Sequence, residues 1–187
     1  MSLTKFNFSA KTVQRSLNWM FPPWMGAGIQ LETLSDDFRR ARVKMPLRPF
    51  FNRNYVGTHY GGSLYSMCDP MYMLQLLHVL GPDQFIVWDM AAQIRYQQPG
   101  KSTVYADFVI DEELVESLRA LQPNEKKIVN LPVDVYSLVK DDNHTGEESR
   151  NDNKTIVASL IKTLYIKRKP EKDEQAESND TPMQSKL

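Results

Sequence analysis

The residues best suited to chemistry lie together in the run Asn54-Tyr55-Val56-Gly57-Thr58-His59-Tyr60-Gly61-Gly62-Ser63-Leu64-Tyr65-Ser66-Met67-Cys68-Asp69-Pro70. Gly61-Gly62-Ser63 opens a helical stretch, and the first N–H groups of a helix have no partner inside it, so they can bind negative charge. Such charge develops on a carbonyl oxygen when water attacks the carbon, and donors aimed at that oxygen lower the barrier. Glycine fits the position because a residue without Cβ lets a ligand approach the backbone and tolerates positive φ where a turn needs it. Asp69 follows Gly62 by seven positions. A carboxylate there can orient water or take its proton, provided the carbonyl lies within hydrogen-bond reach.

Each of these residues also has a plain structural use. Asp69-Pro70 is an ordinary helix start, with Asp as the cap and Pro in the first turn. Alternatively the helix runs through and Pro70 kinks it, freeing the Ser66 carbonyl. His59 is a candidate assistant, although a loop histidine beside a glycine pair commonly serves local hydrogen bonding. Ser63 and Ser66 can bond substrate or water, and Ser63 also suits a helix start. Cys68 has no cationic neighbour in sequence to lower its pKa and reads as buried filler. His78 reads as a core or interface residue and His144 as solvated, and three scattered histidines with one cysteine offer no metal-ligand spacing. Met67, Met71 and Met73 either line an apolar tunnel or fill the core. Lys167-Arg168-Lys169 is either a phosphate contact or a solvated strand end.

The elements that must position this run follow from periodicity. Ser9 caps a helix with Val13, Leu17, Met20 and Phe21 on one face, ended by Pro22-Pro23. Trp24 to Gly28 reads as an apolar loop and Ile29 to Leu34 as a short strand. From Arg40 to Leu47 apolar and basic residues alternate, which predicts a strand with one buried face. Phe50 to Gly57 reads as a loop. Leu64 to Leu80 is apolar nearly all round, which predicts a helix surrounded by protein, stopped at Gly81-Pro82. Four β-prone segments follow: Phe85–Tyr96, Thr103–Ile110, Lys127–Val139 and Thr155–Lys167. An amphipathic helix is predicted over Asp111–Leu121, acidic at its start. From Lys169 onward the chain is polar, so residues 170–187 are expected to form a disordered tail. The expected fold class is α+β, with a mostly antiparallel curved sheet of five to six strands wrapped around a long central helix.

The 54–70 run resembles the signature of hotdog thioesterase-like proteins of the phenylacetate-pathway type. In that signature an Asn, a Gly and a His-Gly-Gly turn precede the central helix, and an acidic residue follows seven positions after the second Gly. Asn54, Gly57, Gly61, Gly62 and Asp69 match it, whereas Tyr60 stands where the family has His, and His59 is one residue early. The chain is still more similar to an uncharacterised thioesterase-like subfamily of hotdog domains, through Gly57-Thr58, Tyr60-Gly61-Gly62-Ser63-Leu64-Tyr65 and Asp69-Pro70. Val87-Trp88-Asp89, Ile94-Arg95-Tyr96, Pro99-Gly100 and Lys162-Thr163-Leu164-Tyr165-Ile166 extend that match. The resemblance implies acyl-CoA thioester hydrolysis, with Asp69 as base or nucleophile, the Gly62 N–H polarising the carbonyl and Asn54 positioning. His59, Tyr60, Gly61, Ser63 and Ser66 are expected at the substrate. It also implies a pocket between two subunits of a homodimer or dimer of dimers. No cofactor is implied beyond the coenzyme A of the substrate. The alternative is a non-catalytic acyl-CoA or lipid binder on the same scaffold. The domain division expected is an N-terminal helix and loop over 1–27, a hotdog domain over 28–169, and the tail.

Composition narrows the setting. The 187 residues suit one domain, and 23 Lys+Arg against 23 Asp+Glu leave no global field to attract nucleic acid or an anionic membrane. No apolar run reaches the ~20 residues of a membrane span, and charged residues interrupt the N-terminus where a signal peptide would be apolar. A single cysteine suits a reducing cytoplasm.

Overall fold

The computed structural model describes residues 8–138 and 154–170. Residues 171–187 of the expected tail and His144 lie outside them. Eleven elements follow in order: α1 (Ala10–Met20), α2 (Pro22–Ala27), β1 (Gln30–Leu34), β2 (Arg40–Met45), α3 (Gly61–Ser66), α4 (Met71–Leu80), β3 (Phe85–Tyr96), β4 (Val104–Val109), α5 (Glu112–Arg119), β5 (Lys126–Leu138) and β6 (Lys154–Arg168). The six strands form one antiparallel sheet in the order β1-β2-β4-β5-β6-β3. Apolar side chains alternate onto its inner face, for example Ala41, Val43 and Met45 from β2 and Val104, Ala106 and Phe108 from β4. These pack with Met67, Met71 and Leu76 of the central helical segment in one core.

One local reading is corrected. Trp24 to Gly28 is not a loop, because Pro22-Pro23 both stops α1 and opens α2, proline being tolerated in a first helical turn where no N–H is required. Gly28 then ends α2 in the left-handed region at φ 68°. The expected long central helical stretch is present from Gly61 to Leu80, interrupted ahead of α4 at Pro70. Pro70 has no N–H to give the Ser66 carbonyl, and residues 67–70 form turns between α3 and α4. The freed Ser66 carbonyl is not left orphaned, for the indole of fully buried Trp24 donates to it at 2.9 Å. An unpartnered buried carbonyl there would cost about 1–3 kcal/mol.

The two edges of the sheet are treated differently. At β1, Gln14 of α1 donates to the carbonyls of Leu31 and Glu32, and Asn18 exchanges two hydrogen bonds with the Leu31 backbone. The first helix therefore covers that edge. At β3 no described residue does so, and Trp88 (64% exposed) and Met90 (60%) stand on it in the open.

Candidate active site

The 48–60 loop reaches α3 already ordered by side chains. Buried Asn52 donates to the carbonyls of Ala27 and Pro46 and accepts from the Arg48 N–H, tying the loop to α2. Its own carbonyl accepts from the Tyr60 N–H at 2.7 Å. Asn54 is spent on the loop as well: its Oδ1 accepts from the Val56 and Thr58 N–H groups, and its Nδ2 donates to Thr58 Oγ1 and the His59 carbonyl.

His59 is buried, and its Nε2 lies 2.9 Å from the Ser102 carbonyl. That bond requires the proton on Nε2, which leaves the buried Nδ1 as an acceptor without a partner. The ring packs on Gly100, where an added Cβ would come within 3.0 Å of it. Burial pushes the imidazole below its ordinary 6.5, with the Ser102 bond opposing. A histidine held neutral in the folded state stabilises the protein fully above the unfolded-state pKa, and that contribution drains away as pH falls. In urea denaturation, the stability advantage of the wild type over His59→Gln is expected to shrink between pH 7 and pH 5. An advantage independent of pH in that interval would show that the histidine is not held neutral.

Gly61 and Gly62 form the first turn of α3, and their N–H groups have no acceptor among the described residues. The exposed Tyr60 ring lies over Gly62, where a Cβ would sit 2.4 Å from Tyr60 Cε1. Tyr96 covers Gly61 from the other side and donates to its carbonyl at 3.1 Å. Ser63 is buried and Ser66 half-buried. Asn54, His59, Gly61, Leu64, Tyr96 and Gly100 share the wall of a cleft of about 430 Å³. Tyr60 lines a different opening, with Phe51, Arg53 and Tyr55.

Asp69 lines neither opening. It does not cap a helix, since α4 starts behind Pro70 with no side-chain cap. Its Oδ1 accepts from Tyr65 Oη at 2.6 Å and from Lys162 Nζ at 2.7 Å. The same ammonium lies 2.9 Å from Asp89 Oδ1. Lys162 is 1% exposed, while the side chains of Asp69 and Asp89 are 44% and 31% exposed. A cation therefore lies under two carboxylates that reach solvent. Burial pulls the Lys162 pKa down, but the hydrogen bonds to Asp69 and Asp89 outweigh it, and the group titrates above the ordinary lysine range. The hydrogen bond to Asp69, then burial, raise the Tyr65 pKa, and burial pushes the fully enclosed Cys68 thiol far up.

In the sequence Lys162 and Asp89 stand out only as parts of the stretches that carry the resemblance. A signal was present. On β6 the inward positions are Ala158, Leu160, Lys162, Leu164 and Ile166, so one lysine interrupts an otherwise apolar stripe. The basic run at the strand end holds the fold together: Arg168 donates to the carbonyls of Arg119 and Leu121, and Lys169 to that of Pro82. Met67 and Met71 are core filler. No group of three His, Cys, Asp or Glu among the described residues could hold a metal, and no helix among them is long and apolar enough to cross a membrane.

A family model described as a domain of unknown function (DUF4442) matches residues 9–157. A search of curated proteins returned no match. Among solved structures, a Pseudomonas aeruginosa protein of unknown function is similar with a TM-score of 0.66 at 16% identity, over 86% of this chain and 97% of its own. A thioesterase of Haemophilus influenzae is similar with a TM-score of 0.58 at 14% identity, over 85% of this chain and 90% of its own. A mutant thioesterase of Pseudomonas aeruginosa gives 0.54 at 13% identity, over 87% and 96%. At these identities the likeness is one of fold, the hotdog arrangement of a curved sheet around a central helical segment.

Proposed function

The chain belongs to the DUF4442 family and has the hotdog fold, and from that premise we propose that it hydrolyses an acyl thioester, with acyl-CoA as the substrate class. The observation that carries this reading is the state of Asp69. It is half-exposed, held by one oxygen on Tyr65 and Lys162, engaged in no helix cap, and on the same helical segment as two unbonded glycine N–H groups. In the proposed reaction water attacks the thioester carbonyl as Asp69 takes its proton. The Gly62 N–H bears the charge on oxygen, and the collapsing intermediate expels the thiolate, which recovers the proton. The products are a carboxylate and a free thiol. Asn54 and His59 act by shaping the loop that presents the glycines, and Gly61 lines the approach, whereas buried Ser63 and half-buried Ser66 lie outside both openings.

Gly62 lies in the first turn of α3 and Asp69 beyond its C-terminal end, in the turn before α4, so one chain holds the two apart. A pocket shared with a second copy would bring a donor from one chain and a carboxylate from the other onto one carbonyl. The bare β3 edge, with Trp88 and Met90 exposed, favours such a homodimer, because an unpaired edge is relieved by pairing with its own copy. We place the reaction in the cytoplasm, where a single buried thiol is at home.

A panel of acyl-CoAs of increasing chain length, followed by thiol release, tests the proposal. Turnover on at least one is expected. One observation favours the second reading, a non-catalytic acyl-CoA or lipid binder: the Tyr60 ring lies over Gly62 and screens the donor. Saturable binding without thiol release across the panel would establish it in place of hydrolysis.

A further inference from the structure

We infer that Lys162 and Asp89 are positioning residues for Asp69: the buried ammonium, anchored on the edge strand by Asp89, holds the Asp69 carboxylate in place and compensates its charge. The inference rests on the proposed role of Asp69 and extends it to two residues with no assigned part.

The arrangement is unlike an ion pair built for stability. Burying a charge carries a large desolvation cost, and an unbranched apolar side chain would fill the same place on the β6 stripe at least as well. The ammonium is nevertheless enclosed, between Leu160 and Leu164 along its own strand and opposite Leu131 of β5 and Ala92 of β3, none of which can compensate it. Its partners come from elsewhere: Asp69 from the turn after α3, at 2.7 Å, and Asp89 at 2.9 Å from β3. Asp89 reaches it because β3 carries a bulge between Asp89 and Ala91, next to the register position of Lys162. The Tyr65 ring closes the remaining side, with its centroid 5.4 Å from Nζ. The cation is thus fixed from below while both carboxylates keep an open side, the geometry a solvent-facing base requires.

The groups facing Lys162 are Tyr65, Cys68, Asp69 and Asp89. Tyr65 and Cys68 are both held neutral well beyond neutral pH, so neither adds a charge beside the ammonium on the acid side. With the ammonium removed, two carboxylates that shared one cation would face each other uncompensated, and ionising the second becomes harder.

The test is the pH dependence of kcat/KM for acyl-CoA hydrolysis in the full-length protein and three variants. Lys162→Met is expected to move the acid limb upward by about one pH unit or more, so that a tenfold or greater loss at pH 6 is largely recovered at pH 9. Asp89→Asn, an isosteric change on the edge strand that keeps an oxygen able to accept from Lys162, is expected to move the limb downward, because the whole cation then serves Asp69. The double variant is expected between the two. A purely structural lysine would lower the rate at every pH and leave the limb where it was. That result, or an unmoved limb in Asp89→Asn, overturns the inference. Titration of the Asp69 carboxyl carbon by NMR, assigned with Asp69→Asn, gives the same readout without turnover. A chain that releases no thiol yet shows the displaced Asp69 midpoint in Lys162→Met would refute hydrolysis and retain the inference. An undisplaced midpoint would refute the inference whatever the activity.

Discussion

Asp69→Ala is expected to lower thiol release by about 10²- to 10⁴-fold, the usual contribution of a positioned base. The loss should appear in kcat, because the carboxylate acts on the attacking water and not on the acyl chain. The fold is expected to survive. Asp69 caps no helix, its side chain is half in solvent, and Lys162 keeps Asp89 as a partner. Asp69→Asn sharpens the test, since it keeps the shape and an oxygen able to accept from Tyr65 and Lys162 while abolishing the base. Both variants should therefore fail together, with thermal unfolding close to that of the parent. Activity within about tenfold of the wild type in Asp69→Asn would remove Asp69 from the mechanism.

A comparably large effect is expected from mixing two inactive chains. Gly62→Pro deletes the N–H proposed to polarise the carbonyl, at a first-turn position where proline is tolerated, as Pro22-Pro23 shows at the start of α2. The exposed Tyr60 ring has to swing aside to admit it. Loss of one such donor costs about 10²- to 10³-fold. If each site takes its donor from one chain and its carboxylate from the other, an equal mixture of Gly62→Pro and Asp69→Asn, refolded together, restores activity. Half the dimers are mixed and half of their sites are intact, so about a quarter of wild-type activity is expected. A mixture as inactive as its components, or a chain that sediments as a monomer, would confine the site to one copy and remove the shared pocket.

Much of the scaffold was legible because its signals are local. The β3 bounds expected from β-propensity, Phe85 to Tyr96, are those observed, and the other strands differ by a residue or two at their ends. Ser9 caps α1 as its position before an amphipathic run implies, while Asp111, read as the first residue of the second such helix, stands as its cap. The misreading of Trp24 to Gly28 has a specific cause. Pro-Pro is compatible with both the end of one helix and the start of another, and only the burial of Trp24 against Ser66 decides between them. Pro70 posed the same ambiguity between a cap and a kink, and the Asp69 carboxylate, which bonds Tyr65 and Lys162 and caps nothing, decides against the cap.

The amino-acid sequence by itself determined the α+β class, the antiparallel strand set and the glycine turn with its carboxylate seven residues on. Those features come from periodicity and spacing over a few neighbouring residues. Tertiary structure alone decided what Asp69 touches. Lys162 is 93 residues away and Asp89 is 20, and both arrive only because β6 and β3 pair at the end of the sheet beside α3. A lysine in an apolar stripe marks a buried charge, but local pattern carries no information about which distant anion will compensate it; strand order settles that.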